Sequence, residues 1–282
     1  MASFNALLRS AFDSLLEPFQ DGSPLIVLIP VSVLTAVFAL WVYKRFSRQD
    51  DIAAVKDQMF AGIFEIRLFN DDLRLISRAT GTILRHSLRY FWLSFYPAFL
   101  IMLPPIVLVI AQLQFHYGYE GFEPGQQVLL EVDLAPPAGQ EAFPAGAPKP
   151  ATSLTVPDGF RQETPAVWAP TENLLVWRLA VTDTGISEIG ITVDGETVTK
   201  RIVASPHTVR RSPIRVDGGF WDQLIFPAEA PLPPQSRIAS IRLDYPTTTI
   251  SFLWIDWNWL ILYIVLMVVF GFALAKPMRV TV

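Results

Sequence analysis

Apolar residues collect in three long blocks along the chain, and the sequence between them has the mixed apolar and polar pattern of soluble protein. About 20 apolar residues, each rising roughly 1.5 Å in a helix, cross a hydrocarbon core of roughly 30 Å. The blocks therefore predict three membrane-spanning helices, at residues 24–43, 91–113 and 255–275. Prolines inside the first two blocks are expected to kink or break those helices: Pro30, Pro97, Pro104 and Pro105.

The distribution of charge predicts how the three helices are oriented. Segment 44–90 carries nine basic and six acidic residues, and the tail 276–282 is also basic. The N-terminal segment carries one arginine against three acids, and 114–252 carries ten basic against sixteen acidic residues. Because basic segments stay in the cytoplasm, we expect 44–90 and 276–282 inside the cell. The N-terminus and 114–252 are expected outside.

Residues 1–20 predict an amphipathic helix ahead of the first span. Arg9, Asp13 and Glu17 fall on one side of it. We expect the helix to lie in the outer membrane interface with its apolar side in lipid. The alternative is a helix docked on the protein's own outer domain. The apolar side consists of Phe4, Leu7, Leu8, Ala11, Phe12, Leu15 and Phe19.

Segment 44–90 predicts a cytoplasmic coiled-coil hairpin. Helices at about 49–68 and 72–89 carry apolar residues at spacings of three and four, and the turn Asn70-Asp71-Asp72 between them can cap the second helix. The second helix also has a basic face, which is a candidate contact for lipid phosphates, ribosomal RNA or an acidic partner. A solvated face that only sets topology is the alternative. This face consists of Arg74, Arg78, Arg85 and Arg89.

Segment 114–252 predicts an all-β domain, most naturally a small antiparallel sandwich of immunoglobulin-like type. The pair Asp194-Gly195 is the strongest hairpin signal in the chain. Residues 136–170 are rich in proline, alanine and glycine and predict a long loop. The candidate strands lie at 126–134, 153–156, 173–181, 186–193, 196–205 and 237–245.

Two groups of aromatic residues are candidate contact sites. Phe220 and Trp221 follow a pair of glycines and predict a binding loop or a bilayer anchor, with packing against the β domain or against a partner as the alternative. Trp254, Trp257 and Trp259 lie at the start of the third span and predict an aromatic belt at the membrane interface.

Composition narrows the range of chemistry. Hydrophobic residues make up 51% of the 282 residues and charged residues 17%, which is unusual for a soluble protein. The chain has no cysteine, and its three histidines (His86, His116 and His207) show no ligand spacing. No catalytic motif or phosphate-binding loop occurs. The only charged residue within a predicted span is Asp256, and the adjacent tryptophans indicate a position at the outer interface. We therefore expect no catalytic residues, cofactor or metal site, and no role as an enzyme or transporter.

The segment LFNDDLRLISRATGTILRH, followed by YPAFLIMLPPIVLVI, resembles the YidC/Oxa-type membrane protein insertase superfamily. The likeness lies in a hairpin turn with paired acids, the second hairpin helix and a proline-bearing second span. It covers roughly 24–112 and, more loosely, 255–275. The resemblance implies that Ser32, Thr35 and Ser94 line a polar groove and that the hairpin receives a substrate or the ribosome. Two features differ from the family: no span contains an arginine, and a β domain lies between the second and third spans.

Two functions are consistent with these patterns. The first is a non-enzymatic membrane subunit that scaffolds or stabilises a larger complex, with lipids and other membrane proteins as partners and no DNA. The second is an insertase-like chaperone, for which ribosomes or nascent chains would be additional partners. The N-terminus lacks a signal-peptide pattern. Together with the family resemblance, this favours the bacterial inner membrane, with 114–252 in the periplasm.

Overall fold

The computed structural model describes residues 2–46, 49–68, 72–137 and 139–280. The chain forms two compact units. One contains the N-terminal residues up to Val27 together with Ile110–Leu260, and it holds the β-sheets. The other contains Leu28–Val109 and the residues from Ile261 onward, and it is helical. The predicted division into a helical part and a β domain is therefore confirmed.

The predicted apolar blocks are helical over most of their length. The second block lies within one helical run, Leu73–Tyr117, which also includes the second hairpin helix and is interrupted by a short π-helical segment. The π-helical segment lies just after Pro97 and just before Pro104, where missing backbone N–H groups disturb the regular bonding. The helices are α1 (Ala2–Leu16), α2 (Leu25–Phe46), α3 (Gln49–Leu68), α4 (Leu73–Pro97), the π-helical Ala98–Met102, α5 (Leu103–Tyr117), α6 (Phe220–Ile225) and α7 (Trp259–Ala275).

Among the described residues, two helices are long and apolar enough to cross a membrane, by length and composition. Helix α2 has 22 residues; its most apolar 18-residue window has a mean hydropathy of 2.6, and 39% of that window is buried inside the protein. The helix Leu73–Tyr117 has 45 residues; its most apolar 18-residue window has a mean hydropathy of 2.2, and only 7% of that window is buried. Helix α7 is apolar but shorter, at 17 residues. It begins at Trp259, later than predicted, because Ile255–Asn258 pair as a strand.

Helices α3 and α4 pack along each other as the predicted hairpin. Ile52 and Val55 of α3 and Ala79 of α4 are buried in the seam. Gly62 lies so close to α4 that a Cβ atom there would come within 2.7 Å of Ile83 Cγ1. The Asp72 carboxylate accepts the Arg74 N–H at 2.8 Å and so caps α4 as predicted. Residues 70 and 71 of the predicted turn lie outside the described residues.

The β domain consists of two main antiparallel sheets and a separate hairpin. One sheet has the order β3-β5-β1-β9-β8 with β4 also pairing with β5, the second is β2-β6-β7, and β10 pairs with β11. All six predicted strands are present, and Asp194-Gly195 forms the β6–β7 turn. The strands are β1 (Gln127–Leu134), β2 (Thr152–Thr155), β3 (Phe160–Gln162), β4 (Val167–Ala169), β5 (Leu174–Val181), β6 (Gly185–Val193), β7 (Glu196–Ala204), β8 (Ile214–Val216), β9 (Ile238–Leu243), β10 (Thr249–Phe252) and β11 (Ile255–Asn258).

The two main sheets share one apolar core, which gives the domain a sandwich-like build. Alternate residues point inward along each strand. Leu130 on β1, Trp177 on β5 and Ile241 on β9 contribute from one sheet, while Ile191 on β6 and Ile202 on β7 contribute from the other. The segment 205–237 contributes Val209 and Leu232 to this core and carries the buried cations Arg210 and Arg211.

Candidate functional sites

Helix α1 turns its polar side toward the β domain. Asn5, Arg9 and Asp13 are spaced four residues apart and so share one face of the helix. The Asn5 amide donates to the Gln223 carbonyl at 2.7 Å, and the Arg9 guanidinium donates to the Glu229 carbonyl at 2.8 Å. The polar side is therefore docked on the domain, which is the alternative that the sequence left open for this helix.

A cluster of charged groups fixes the middle of α1 to the end of α5. The Asp13 carboxylate accepts from Arg210 Nε at 2.8 Å and from His116 Nε2 at 3.1 Å. Arg210 also donates to the Gln112 side chain at 3.1 Å. Burial acts to raise the pKa of Asp13, but the His116 and Arg210 interactions outweigh it and hold the pKa below its ordinary value.

The surroundings of His116 define what its ring can do. Its Nδ1 lies 3.1 Å from the Gln112 carbonyl oxygen, and its Nε2 lies 3.1 Å from the Asp13 carboxylate. Both neighbours are acceptors, so both contacts are hydrogen bonds only when the ring carries two protons. The ring is 3% exposed. His116 therefore links α1 to the end of α5.

A second buried cation lies in β7. Lys200 is fully buried, and its ammonium donates to the Ser212 carbonyl at 2.7 Å, to Ser212 Oγ at 3.1 Å and to the Glu229 carboxylate. Glu229 also accepts the Arg201 backbone N–H at 2.8 Å. Burial lowers the pKa of Lys200, and the charge of Glu229 partly opposes that shift. The pair joins the sheet to the segment that holds α1.

A third buried cation, Arg211, is bonded to backbone carbonyls. It donates to the carbonyls of Tyr119, Ser205 and His207 at 2.8, 3.0 and 2.6 Å. Gly121 passes so close to this segment that a Cβ atom there would lie 2.1 Å from the Ser205 oxygen. Arg211 and His116 also line a cavity of about 530 Å³. Arg211 therefore ties the chain after α5 to the loop that follows β7.

These clusters are built for holding elements together. Lys200 and Ser212 are residue types that form nucleophilic dyads in some hydrolases. Here both are buried, Glu229 holds the ammonium, and neither lines the cavity of about 530 Å³. Within the described part of the chain, no group of three or more histidine, aspartate or glutamate side chains is placed to hold a metal ion. The charges bind protein groups and position α1, α5 and the segment after β7.

The helical unit contains a second candidate site, an apolar cavity of about 370 Å³. Small residues line part of it: Ala36 and Ala39 on α2 and Gly271 on α7. A Cβ atom added at Gly271 would meet no other atom within 4 Å. Tyr43 and Ser94 supply the polar groups, and the Tyr43 hydroxyl donates to Ser94 Oγ at 3.3 Å. The cavity is therefore open to an apolar chain and carries one polar pair.

The three predicted groove residues are not brought together in this cavity. Ser94 lines it, whereas Ser32 and Thr35 do not. Thr35 Oγ1 accepts from the Tyr263 hydroxyl at 2.9 Å and donates to the Val31 carbonyl at 2.8 Å. Ser32 is fully buried, and its hydroxyl has no hydrogen-bond partner among the described residues. Thr35 thus joins α2 to α7, and the polar part of the cavity comes from Tyr43 and Ser94.

The other predicted contact residues are mostly exposed. Phe220, Trp221 and Trp254 are exposed at 54%, 68% and 99% of their surface, and Trp257 is half-buried. Trp259 is the exception: it is 1% exposed, and its indole N–H donates to the Gln114 side chain at 3.0 Å. It cannot touch lipid, because it packs inside the protein. The basic face of α4 is exposed along its length at Arg74, Arg78, Arg85 and Arg89.

Some of the buried charges had a signal in the sequence. Val198 and Ile202 on β7 face the core, and the period of two places Lys200 on that same side. A lysine in that position predicts a buried partner. The pairing of Asp13 with Arg210 had no such signal, because the two residues are 197 positions apart.

Comparison with protein-family models, with curated proteins and with solved structures finds no match to this chain.

Proposed function

We propose that this chain is a non-enzymatic integral membrane subunit that stabilises a larger membrane protein complex through its spans and its extracytoplasmic β domain. The proposed location is the bacterial inner membrane. In this topology the N-terminus and 114–252 lie in the periplasm, and 44–90 and 276–282 lie in the cytoplasm. The immunoglobulin-like class of the domain is part of the proposal. Two antiparallel sheets around one core support it.

Exposed apolar helix surface supports the membrane location. In a soluble protein an apolar helix is buried, yet the apolar window of Leu73–Tyr117 is only 7% buried. Large side chains on α2 and α7 are also exposed, among them Leu34 at 67% and Phe272 at 66%. Patches of this kind mark contact with a membrane or with another protein. The 17 residues of α7 rise about 25 Å, close to the thickness of a hydrocarbon core.

The apolar cavity is the main observation that supports a role as a subunit of a larger complex. Helices associate in lipid where small residues allow close approach, and Ala36, Ala39 and Gly271 line this cavity. An apolar helix of a partner subunit would fill it. Within the β-rich unit, the buried charge clusters hold α1 and the end of α5 against the domain, which gives a partner an ordered surface on the proposed periplasmic side.

The insertase-like function is the second candidate, and the helical hairpin favours it. Helices α3 and α4 lie between the first two spans, with an exposed row of arginines on α4. The Tyr43–Ser94 pair gives the cavity a polar group that a passing segment can bond to. Under this function the cavity has many transient occupants, whereas under the first it has one constant occupant.

Purification in mild detergent tests the choice, with variants that alter only the cavity. Gly271→Leu fills the space, and Val269→Leu is its control on the same helix at an outward position that is 56% exposed. The first function predicts one stoichiometric partner that is lost with Gly271→Leu and retained with Val269→Leu. Ribosomes and varied nascent chains with the unchanged protein would contradict it and support the second.

A further inference from the structure

We propose that the β domain carries a lipid-binding surface on its N-terminal helix, on α6 and on the β10–β11 turn, and that this surface lies in the outer leaflet of the bilayer. The inference rests on the proposed membrane location. It adds to that proposal a specific surface of the domain and the chemistry of what the surface binds.

Helix α1 docks on the domain with its polar residues and leaves large apolar residues exposed. Its polar side is bonded to the domain through Asn5, Arg9 and Asp13. The outward side of the helix exposes Phe4 at 48%, Leu7 at 69% and Leu15 at 61%, while Leu8 and Phe12 are half-buried and Leu16 is buried. In water, an amphipathic helix docks with its large apolar side chains buried, because apolar burial drives the docking. This arrangement is favourable where the outward side meets hydrocarbon.

Helix α6 extends the same kind of surface. It is held beside α1 by the bond from Asn5 to the Gln223 carbonyl, and Gln223 itself is buried. Its other face exposes Phe220 and Trp221, whose rings pack edge to face at 5.1 Å. Ile225 is exposed at 57%. Large aromatic rings on a short helix are typical of anchors at the headgroup level.

The β10–β11 turn gives independent support. Leu253 and Trp254 both have positive φ, at 51° and 62°, and Trp254 is 99% exposed. Such turns ordinarily take asparagine and glycine, and a bulky residue in this conformation is strained. The strain is not offset by packing inside the protein, because both side chains are exposed. The turn instead holds an indole and a leucine out from the domain.

Chain continuity identifies bilayer lipid as the occupant. The helix α1 ends at Leu16 and α2 begins at Leu25, so α1 lies just ahead of the first proposed span. The turn is followed by β11 and then directly by α7, the third proposed span. The only basic residue in α1, Arg9, is bonded to the domain. The surface therefore binds through apolar burial and does not require anionic lipid.

The absence of cysteine makes a direct test possible in the full chain. Single cysteines at Leu7, Trp221 and Trp254 receive spin labels after reconstitution in phosphatidylcholine vesicles. Collision rates are then measured with oxygen, which concentrates in lipid, and with a water-soluble nickel complex. Leu34→Cys on α2 is the lipid control, and Arg161→Cys on β3 is the water control.

The inference predicts several-fold more collision with oxygen than with nickel at all three positions, and the reverse at Arg161→Cys. Adding anionic lipid should leave these ratios unchanged. If Leu34→Cys reports lipid, access of nickel to any of the three positions overturns the inference. Protection from both reagents also overturns it, because it would indicate a protein partner or a second copy in place of lipid. A water signal at Leu34→Cys would instead overturn the proposed membrane location.

Discussion

Removing the charge of Glu229 should destabilise the β domain far more than removing a carboxylate from its surface. Lys200 is fully buried, and its three N–H groups are matched by three acceptors, of which only the Glu229 carboxylate is charged. Glu229→Gln keeps an oxygen in place and removes the charge. The ammonium is then buried among neutral acceptors, and burial already lowers its pKa.

The expected size follows from this burial. Breaking a buried pair by removing one partner costs about 3–5 kcal/mol. The side chain of Glu229 is 13% exposed and glutamine keeps an acceptor, so we expect the low end, about 3 kcal/mol. For a unit of this size each kcal/mol lowers the unfolding temperature by about 2–4 °C. The variant should therefore unfold about 6–12 °C below the unchanged protein.

Thermal unfolding in detergent, followed by circular dichroism of the sheets, measures this effect. Glu131→Gln is the matched control, because Glu131 pairs with Arg242 at 3.3 Å on an exposed strand surface, where pairs contribute about 0–1 kcal/mol. Lys200→Met combined with Glu229→Gln should recover most of the loss, since no charge is then left buried. Equal unfolding temperatures for Glu229→Gln and Glu131→Gln would refute the reasoning.

Three further results follow from the same contacts. The pKa of Lys200 in the folded protein lies below its ordinary value of 10.5, so the free energy of unfolding rises with pH up to 10.5. The loss of stability caused by Glu229→Gln should therefore become smaller when unfolding is measured from pH 7 toward 10. The pKa of Asp13 is lowered in the folded protein, so the stability that its ion pairs contribute is fully present above pH 3.8 and is lost as the pH falls through the folded-state pKa. Asp13→Asn should therefore speed amide hydrogen exchange in α1 at neutral pH. Unchanged exchange in this variant would contradict the docking of α1. Gly62→Leu should destabilise the α3–α4 hairpin by about 1–3 kcal/mol, because the added side chain crowds Ile83. Gly81→Ala, whose Cβ meets open space, should stabilise the hairpin by about 0.5–1 kcal/mol. Similar unfolding curves for the two variants would contradict the close packing of α3 on α4.

Sequence patterns predicted the elements that depend on local periodicity. Alternation located six strands, from Gln127–Leu134 to Ile238–Leu243, and spacings of three and four located the α3–α4 hairpin. The short strands β3, β4 and β8 were missed, and β3 and β4 lie within 136–170, which was predicted to be a loop. Boundaries were less predictable where one apolar run served two elements. The run after residue 254 begins as a strand, because Ile255 pairs with Phe252, and becomes a helix only at Trp259.

Side-chain partners over long distances were not predictable from one sequence. Trp259 was expected in a lipid-facing belt, but its neighbour is Gln114, which is 145 positions away and lies near the end of α5. The polar groove was expected at Ser32, Thr35 and Ser94, yet only Ser94 lines the cavity. The rotation of α2 about its axis decides this, and an apolar helix with few polar residues carries no pattern that reveals its rotation.

Photo-crosslinking from inside the cavity tests the central proposal most directly. A benzophenone side chain at Ala39 reports what fills the cavity in native membranes, and the same group at Val269 reports an outward position. A constant partner subunit predicts one discrete adduct from Ala39 in every preparation and a different, weaker pattern from Val269. Adducts of many different masses that disappear when translation is stopped would contradict the proposal of a constant partner subunit. They would show that the cavity binds newly made chains transiently.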